Sequence, residues 1–183
     1  MKANTQRLFN GSKVTPSVIF LTGLSGSGKT TIAKAVQRML KSKGIVPVVL
    51  DGDEIRNAIQ LNSFDEDSRK KFNLSIGYMA SLFEEQENFV IVALIAPYAD
   101  IRDKIRTLCK HFIEVYVSTD ISVCIQRDPK GLYAKAMKGE IKDFTGISAP
   151  YFPPLNPEVI IDTATLTVQD CIDKIFAALK KGK

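Results

Sequence analysis

Residues 23–30 read Gly-Leu-Ser-Gly-Ser-Gly-Lys-Thr and follow an apolar run at 18–21. No other stretch restricts the possible folds as strongly. The pattern G-x-x-x-x-G-K-[ST] is a phosphate-binding loop that joins a buried strand to a helix. Gly23, Gly26 and Gly28 carry no Cβ, so the backbone can turn tightly and come close to a ligand. The cradle comprises Gly23, Ser25, Gly26, Ser27, Gly28, Lys29, Thr30 and Thr31. Its main-chain N–H groups gather at a helix N-terminus, which favours anions. Lys29 brings a mobile positive charge to the β and γ phosphates, and the Thr30 hydroxyl is placed to ligate Mg²⁺. The loop is therefore expected to hold a nucleoside triphosphate.

The remaining composition is that of one globular domain. The chain has 183 residues, 45% of them hydrophobic, enough for a full core. A formal charge of +5 fits a polyanionic small-molecule substrate as well as it fits a nucleic acid. No nucleic-acid partner is expected. Cys109, Cys124 and Cys171 are widely spaced without a C-x-x-C, and His111 is the sole histidine, so no zinc set is expected. The cysteines read as buried free thiols in a reducing cytosol. Residues 1–16 are polar and resemble no signal peptide, and no apolar stretch is long enough to span a bilayer. A cytoplasmic protein without a membrane partner is expected.

Along the chain, 1–16 reads as a loose arm before a single domain at 17–183. Strands are expected at 18–22, 46–50, 89–96, 112–117 and 159–161, with helices at 30–43, after residue 53, at 68–87, after Pro97, from Ile121 and at 168–179. Residues 129–157 combine weak strand signals with prolines and basic residues, the composition of a mobile covering segment. Alternating strands and helices imply an α/β architecture, the P-loop NTPase fold, with a five-stranded parallel sheet and helices on both faces. Ligands bind such sheets at the carboxyl ends of the strands. The cradle, Asp51-Gly52-Asp53, Ile95-Ala96-Pro97-Tyr98 and the segment after Val117 should converge there.

The acidic residues narrow the reaction. There is no Asn-Lys-x-Asp base-reading motif, and the 89–96 strand ends without an acid. The acids lie after the second strand, in Asp51-Gly52-Asp53-Glu54-Ile55-Arg56. That suits a small-molecule kinase: an acid near the γ-phosphate can take a proton from an acceptor hydroxyl or hold the metal. Arg56, about one helical turn on, can hold an anionic group of the acceptor. The bland alternative is that Asp51 and Asp53 merely cap the next helix. Tyr98 reads as packing at a strand end.

The cradle, Leu50-Asp51-Gly52-Asp53-x-Ile55-Arg56, Arg127-Asp128-Pro129-Lys130-Gly131-Leu132-Tyr133 and Gly139-Glu140-Ile141-Lys142-x-Phe144-Thr145-Gly146-Ile147-x-x-Pro150-Tyr151 together resemble the adenylyl-sulfate kinase (APS kinase) family. The likeness runs from about residue 17 to the C-terminus. It implies transfer of the γ-phosphate of ATP to the 3′-hydroxyl of adenosine 5′-phosphosulfate (APS), giving 3′-phosphoadenosine 5′-phosphosulfate and ADP. It implies that Asp53 orients and deprotonates the ribose hydroxyl, with Asp51 beside the metal and Lys29 on the donor phosphates. Arg56 and Arg69, with Asn73, resemble the clamp on the phosphosulfate. Lys130, Gly131, Leu132, Phe144 and Thr145 resemble lid residues over the acceptor. Phe64 is placed to stack on its adenine, and Ile95 and Ala96 to line its pocket. Arg127 is similar to the arginine against the ATP base. A homodimer is implied, and a functional link to an ATP sulfurylase is raised.

Two departures stand out. The family has Ile-Ser-Pro-Tyr where this chain has Ile95-Ala96-Pro97-Tyr98. Alanine has no hydroxyl, which excludes a phosphoserine intermediate there. The family pattern Arg-x-x-Asn-x-Arg-Arg faces Arg69-Lys70-Lys71-Phe72-Asn73-Leu74-Ser75, so Phe72 stands at the asparagine and Leu74 and Ser75 at the arginines. A different acidic nucleotide as acceptor, or a nucleotide-binding subunit without catalysis, are the alternative readings.

Overall fold

The structure, a computed structural model, describes residues 7–9 and 12–181. Part of the expected loose arm is ordered structure. β1 (Arg7–Phe9) pairs antiparallel with β2 (Ser12–Val14), and Val14 is buried in the core. Residues 1–6, 10 and 11, the rest of that arm, lie outside the described residues.

β3 (Val18–Thr22) is the middle strand of a five-stranded parallel sheet. Around it stand β4 (Val48–Asp51), β5 (Val90–Ala93), β6 (Phe112–Val117) and β7 (Val159–Ile161), in the order β4-β5-β3-β6-β7. Every residue of β3 is buried, because helices cover both faces. The period-2 pleat divides its side chains between two cores. Ile19 and Leu21 pack with α1 (Lys29–Ser42) and α7 (Val168–Lys181), whereas Val18 and Phe20 pack with α3 (Glu66–Glu85) and α4 (Ala99–Leu108).

Several boundaries move, each for a local reason. β4 starts at Val48, and Val46 is 71% exposed, since the ladder with β5 begins at Val48. α3 starts at Glu66, two residues before the expected Ser68, because the Asp65 side chain caps it by accepting from the Ser68 N–H at 2.8 Å. β5 ends at Ala93, and the expected strand to Ala96 instead becomes a loop, in which Ala96 takes a left-handed φ of 44°. The weak strand signals of 129–157 yield no named strand. After α5 (Ile121–Arg127) this segment forms α6 (Leu132–Met137), a series of turns and one isolated bridge, Thr145 with Ala149. Its Tyr133, Ala136 and Phe144 form a small core with Cys124 of α5, the Tyr133 and Phe144 rings edge to face at 5.0 Å.

Candidate active site

β3 delivers the chain into the glycine loop, and α1 takes over from Gly28, whose left-handed backbone (φ 101°) caps the helix without a side chain. The first helical N–H groups have no intrahelical acceptor and face a cavity of about 970 Å³. Ser25, Gly26, Gly28, Lys29, Thr30 and Thr31 line it. Gly23 and Ser27 do not, contrary to the expectation for the whole loop. Gly23 lies against the end of β6, where a Cβ would stand 2.5 Å from the Val117 carbonyl oxygen. Ser27 is fully buried, its N–H donates to the Leu24 carbonyl at 3.2 Å, and its hydroxyl finds no partner.

Lys29 folds back on the loop, donating from Nζ to the carbonyls of Gly23 (3.0 Å) and Leu24 (2.7 Å). The residue is partly open to the cavity, but its ammonium lies deep among protein atoms. That desolvation lowers its pKa from the usual 10.5 to about 8, against the opposing pull of Asp53. A phosphate entering the loop would give this cation a better partner than two carbonyls.

Asp51 and Asp53 divide the work that the sequence left open between capping and chemistry. α2 (Gly52–Ala58) is capped by Asp51 alone, whose Oδ1 accepts from the Asp53 N–H at 2.9 Å. Its Oδ2 accepts from the Thr30 hydroxyl at 2.9 Å. The two residues expected to hold Mg²⁺ are thus in contact, at the mouth of the phosphate loop. Hard oxygen donors of this kind suit Mg²⁺, which takes one or two protein oxygens and completes its shell with phosphates and water. Among the described residues no cluster of three or more His, Cys, Asp or Glu side chains could hold a metal ion by itself. Asp53 caps nothing. Its side chain is 65% exposed and pairs with Lys130, reached across from the segment after α5.

The other half of the cavity is cationic and aromatic. The Arg56 guanidinium lies over the rings of Phe64 (4.8 Å) and Phe72 (4.1 Å) and donates to the Ser63 carbonyl at 2.9 Å. Its pKa is lowered by burial and by the neighbouring Arg69. Arg69 is buried and donates to the Thr145 hydroxyl at 3.1 Å and to the Asp143 carbonyl, so it ties α3 to the covering segment. Asn73, Ile95, Ala96, Leu132, Phe144 and Thr145 line the cavity as well. Gly131 does not, because it turns the chain into α6 with a left-handed backbone. Tyr98 is buried in packing, as its sequence context suggests.

The comparisons with known proteins bear on this arrangement. A family model for adenylylsulphate kinase matches residues 15–162. A probable adenylyl-sulfate kinase of Halalkalibacterium halodurans is 47% identical over 165 residues, 88% of this chain and 82% of that protein. The adenylyl-sulfate kinase of Geotalea daltonii is 44% identical over 90% of this chain and 83% of its own length. The solved Mycobacterium tuberculosis APS kinase CysC in complex with AMPPNP and APS superposes with a TM-score of 0.86 at 34% identity, over 92% of this chain and 99% of that one. This chain belongs to the adenylylsulphate kinase family.

Membership gives the two long motifs of this kinase a structural account. In the first, Asp128 accepts from the N–H groups of Tyr133 (3.1 Å) and Ala134 (3.0 Å), which starts α6. The Tyr133 hydroxyl then donates to the Ser25 carbonyl at 3.0 Å, seating the segment on the phosphate loop. In the second, Phe144 and Thr145 are buried, one against Tyr133 and the other against Arg69. Sequence reasoning missed the far wall of the donor half, formed by Thr163, Leu166, Val168 and Cys171. Thr163 donates to the Ser27 carbonyl at 2.7 Å and accepts from Arg127 at 2.7 Å, placing Arg127 over the loop. The rule that ligands gather beyond strand ends would have pointed to Thr163, two residues past β7. Cys171 carried no such signal. No described helix is long and apolar enough to cross a membrane.

Proposed function

We propose that this kinase transfers the γ-phosphoryl group of ATP to the 3′-hydroxyl of APS, giving 3′-phosphoadenosine 5′-phosphosulfate and ADP. The observation that carries the reading is the convergence of Lys29, the Thr30–Asp51 pair and the Asp53–Lys130 pair at one cavity, with Arg56 and Arg69 across from them. The H. halodurans and G. daltonii relatives bear the kinase's name, and the M. tuberculosis structure holds AMPPNP and APS.

In this mechanism the loop N–H groups and Lys29 hold the donor phosphates, and Arg127 lies against the donor base. Thr30 and Asp51 would hold Mg²⁺. When bound, the ion would neutralise charge on the β and γ oxygens. Arg56, Arg69 and Asn73 meet the phosphosulfate, and Phe64 stacks on the acceptor adenine. Asp53 accepts the proton of the 3′-hydroxyl as the new O–P bond forms and the bond to ADP breaks. Lys130 leaves Asp53 for the incoming anions, and residues 129–157 act as a lid that excludes water. With Ala96 in place of a serine, transfer is direct. A homodimer working in the cytosol, fed by an ATP sulfurylase, completes the reading and rests on the family resemblance.

The test is ADP release by purified protein with APS against a panel of other adenine nucleotides, with the product identified by mass. Preference for APS and a product phosphorylated at the 3′ position are expected; no turnover with APS would overturn the reading. A second reading, a less highly charged nucleotide acceptor, is favoured by one observation. Leu74 packs against the core and the Ser75 hydroxyl donates to the Lys71 carbonyl at 2.9 Å, so neither adds positive charge. Faster turnover with another member of the panel would select it.

A further inference from the structure

The loop between β5 and α4 forms the wall of the acceptor half, with Leu94, Ile95, Ala96 and Pro97 all facing the cavity. It is an awkward piece of backbone. Ala96 is a non-glycine residue at φ 44°, a conformation that persists only where its surroundings impose it. Three successive carbonyls of this loop accept hydrogen bonds from elsewhere in the fold. Ile95 accepts from the Thr22 hydroxyl at 2.7 Å, Ala96 from Nη1 of Arg102 at 2.7 Å, and Pro97 from the Phe152 N–H at 2.9 Å.

Arg102 joins these contacts together. It is 3% exposed, and each guanidinium nitrogen serves a different element. Nη1 holds Ala96, Nη2 donates to the Phe152 carbonyl at 2.8 Å, and Nε donates to Oε1 of Glu114 in β6 at 2.9 Å. Glu114 is itself fixed, its Oε2 accepting from Arg106 at 3.1 Å. Beside Arg102, the Tyr151 hydroxyl meets the Thr22 hydroxyl at 2.9 Å. The segment 151–152, where the covering stretch rejoins the domain, is thereby bonded to the wall of the acceptor pocket.

We propose that Arg102 is a positioning residue for the acceptor, whose planar fork, backed by Glu114, clamps the 94–97 wall to the C-terminal root of the lid. It touches neither nucleotide. It sets the left-handed turn at Ala96 and fixes one hinge, so that movement of the lid is confined to the stretch before Tyr151. A lysine cannot replace it, since a single ammonium cannot reach three acceptors spread across a plane. The proposal rests on the assignment of APS as acceptor.

The experiment compares wild type, Arg102→Lys and Tyr151→Phe by calorimetry, measuring first a non-hydrolysable ATP analogue and then APS on the analogue-bound protein. In Arg102→Lys, APS affinity is expected to fall at least about tenfold, as misplacement of a binding wall would cause. Analogue affinity should stay within about twofold and the binding stoichiometry should be unchanged. The KM for APS should rise in parallel. A merely structural role would lower the stoichiometry and the melting temperature and leave both affinities of the folded fraction alone; that result overturns the proposal, as does equal weakening of both ligands. Tyr151→Phe removes one hydroxyl and little else. It should weaken APS about threefold without affecting the analogue. If Arg102→Lys does not fold, unchanged APS affinity in Tyr151→Phe is the overturning result. Wild type that fails to bind APS overturns the functional reading, and this proposal with it; wild-type binding with both variants unaffected overturns the proposal alone.

Discussion

At the scale of single residues, the site contrasts two charged groups. Asp53 is largely exposed and held by one ion pair, so replacing it disturbs little besides chemistry. Asp53→Ala should lower kcat by about 10²–10⁴, the usual worth of an acid–base group, with ATP binding retained. Near-normal turnover at saturating substrates would remove Asp53 from the reaction. Lys29 is the opposite case, because its charge is held where solvation is poor. Its folded pKa, about 8, lies below the unfolded 10.5, so the cost to stability is fully present below pH 8. That cost is shed as pH rises from 8 to 10.5, and at neutral pH it is at most about 3 kcal/mol. Lys29→Met should therefore raise the ligand-free melting temperature at pH 7 by a few degrees, on the scale of about 2–4 °C per kcal/mol, while abolishing ATP binding. In wild type, ATP affinity should weaken above pH 8, by up to about tenfold per unit, as the free protein loses this charge. Flat affinity from pH 7 to 9.5 would show that the cation is not felt by the phosphates.

Among the elements, α3 and α4 set the geometry of the acceptor half. α3 carries Arg69, Phe72 and Asn73, and the start of α4 carries Arg102. The two helices pack closely because α3 has a glycine at the contact. A Cβ on Gly77 would stand 2.4 Å from Cγ1 of Ile105. Gly77→Ala should push the helices apart and cost about 1–3 kcal/mol, read as a fall in melting temperature of about 2–4 °C for each. The KM for APS should rise more than that for ATP, whose loop leads into α1 on the opposite face of the sheet from α3 and α4. Much at this scale was legible in the sequence. The apolar runs at β3, β5 and β6 and the helical stripe Phe72, Ile76 and Ala80 announced their elements, because burial on both faces leaves few alternatives. The end of β5 was not legible. Leu94, Ile95 and Ala96 are as apolar as a strand, and only bonds from Thr22, Arg102 and Phe152 bend them into a loop.

For the whole molecule, side-chain bonds attach the covering stretch 129–157 to the rest of the domain along its length. Tyr133 is bonded to the Ser25 carbonyl, Lys130 to Asp53, Thr145 to Arg69 and Phe152 to Arg102. Two of these partners, Asp53 and Arg69, are needed by the acceptor in the proposed mechanism. Lys135, Lys138 and Lys142 are exposed on this stretch. Trypsin should cut there readily in the free protein, and several-fold more slowly once an ATP analogue and APS are both bound, because cleavage follows the population of open forms. Equal rates with and without ligands would mean that the stretch is not a moving lid. The sequence by itself determined the cradle, the acids after β4, the family and the parallel sheet, because each depends on neighbours in the chain or on a periodic pattern. It could not separate Asp51, which caps α2 and meets Thr30, from Asp53, which faces Lys130; nor could it find the fork of Arg102. Those depend on groups far apart in the chain whose distances are fixed only when the sheet twists and both cores close, and that is why tertiary structure alone decided them.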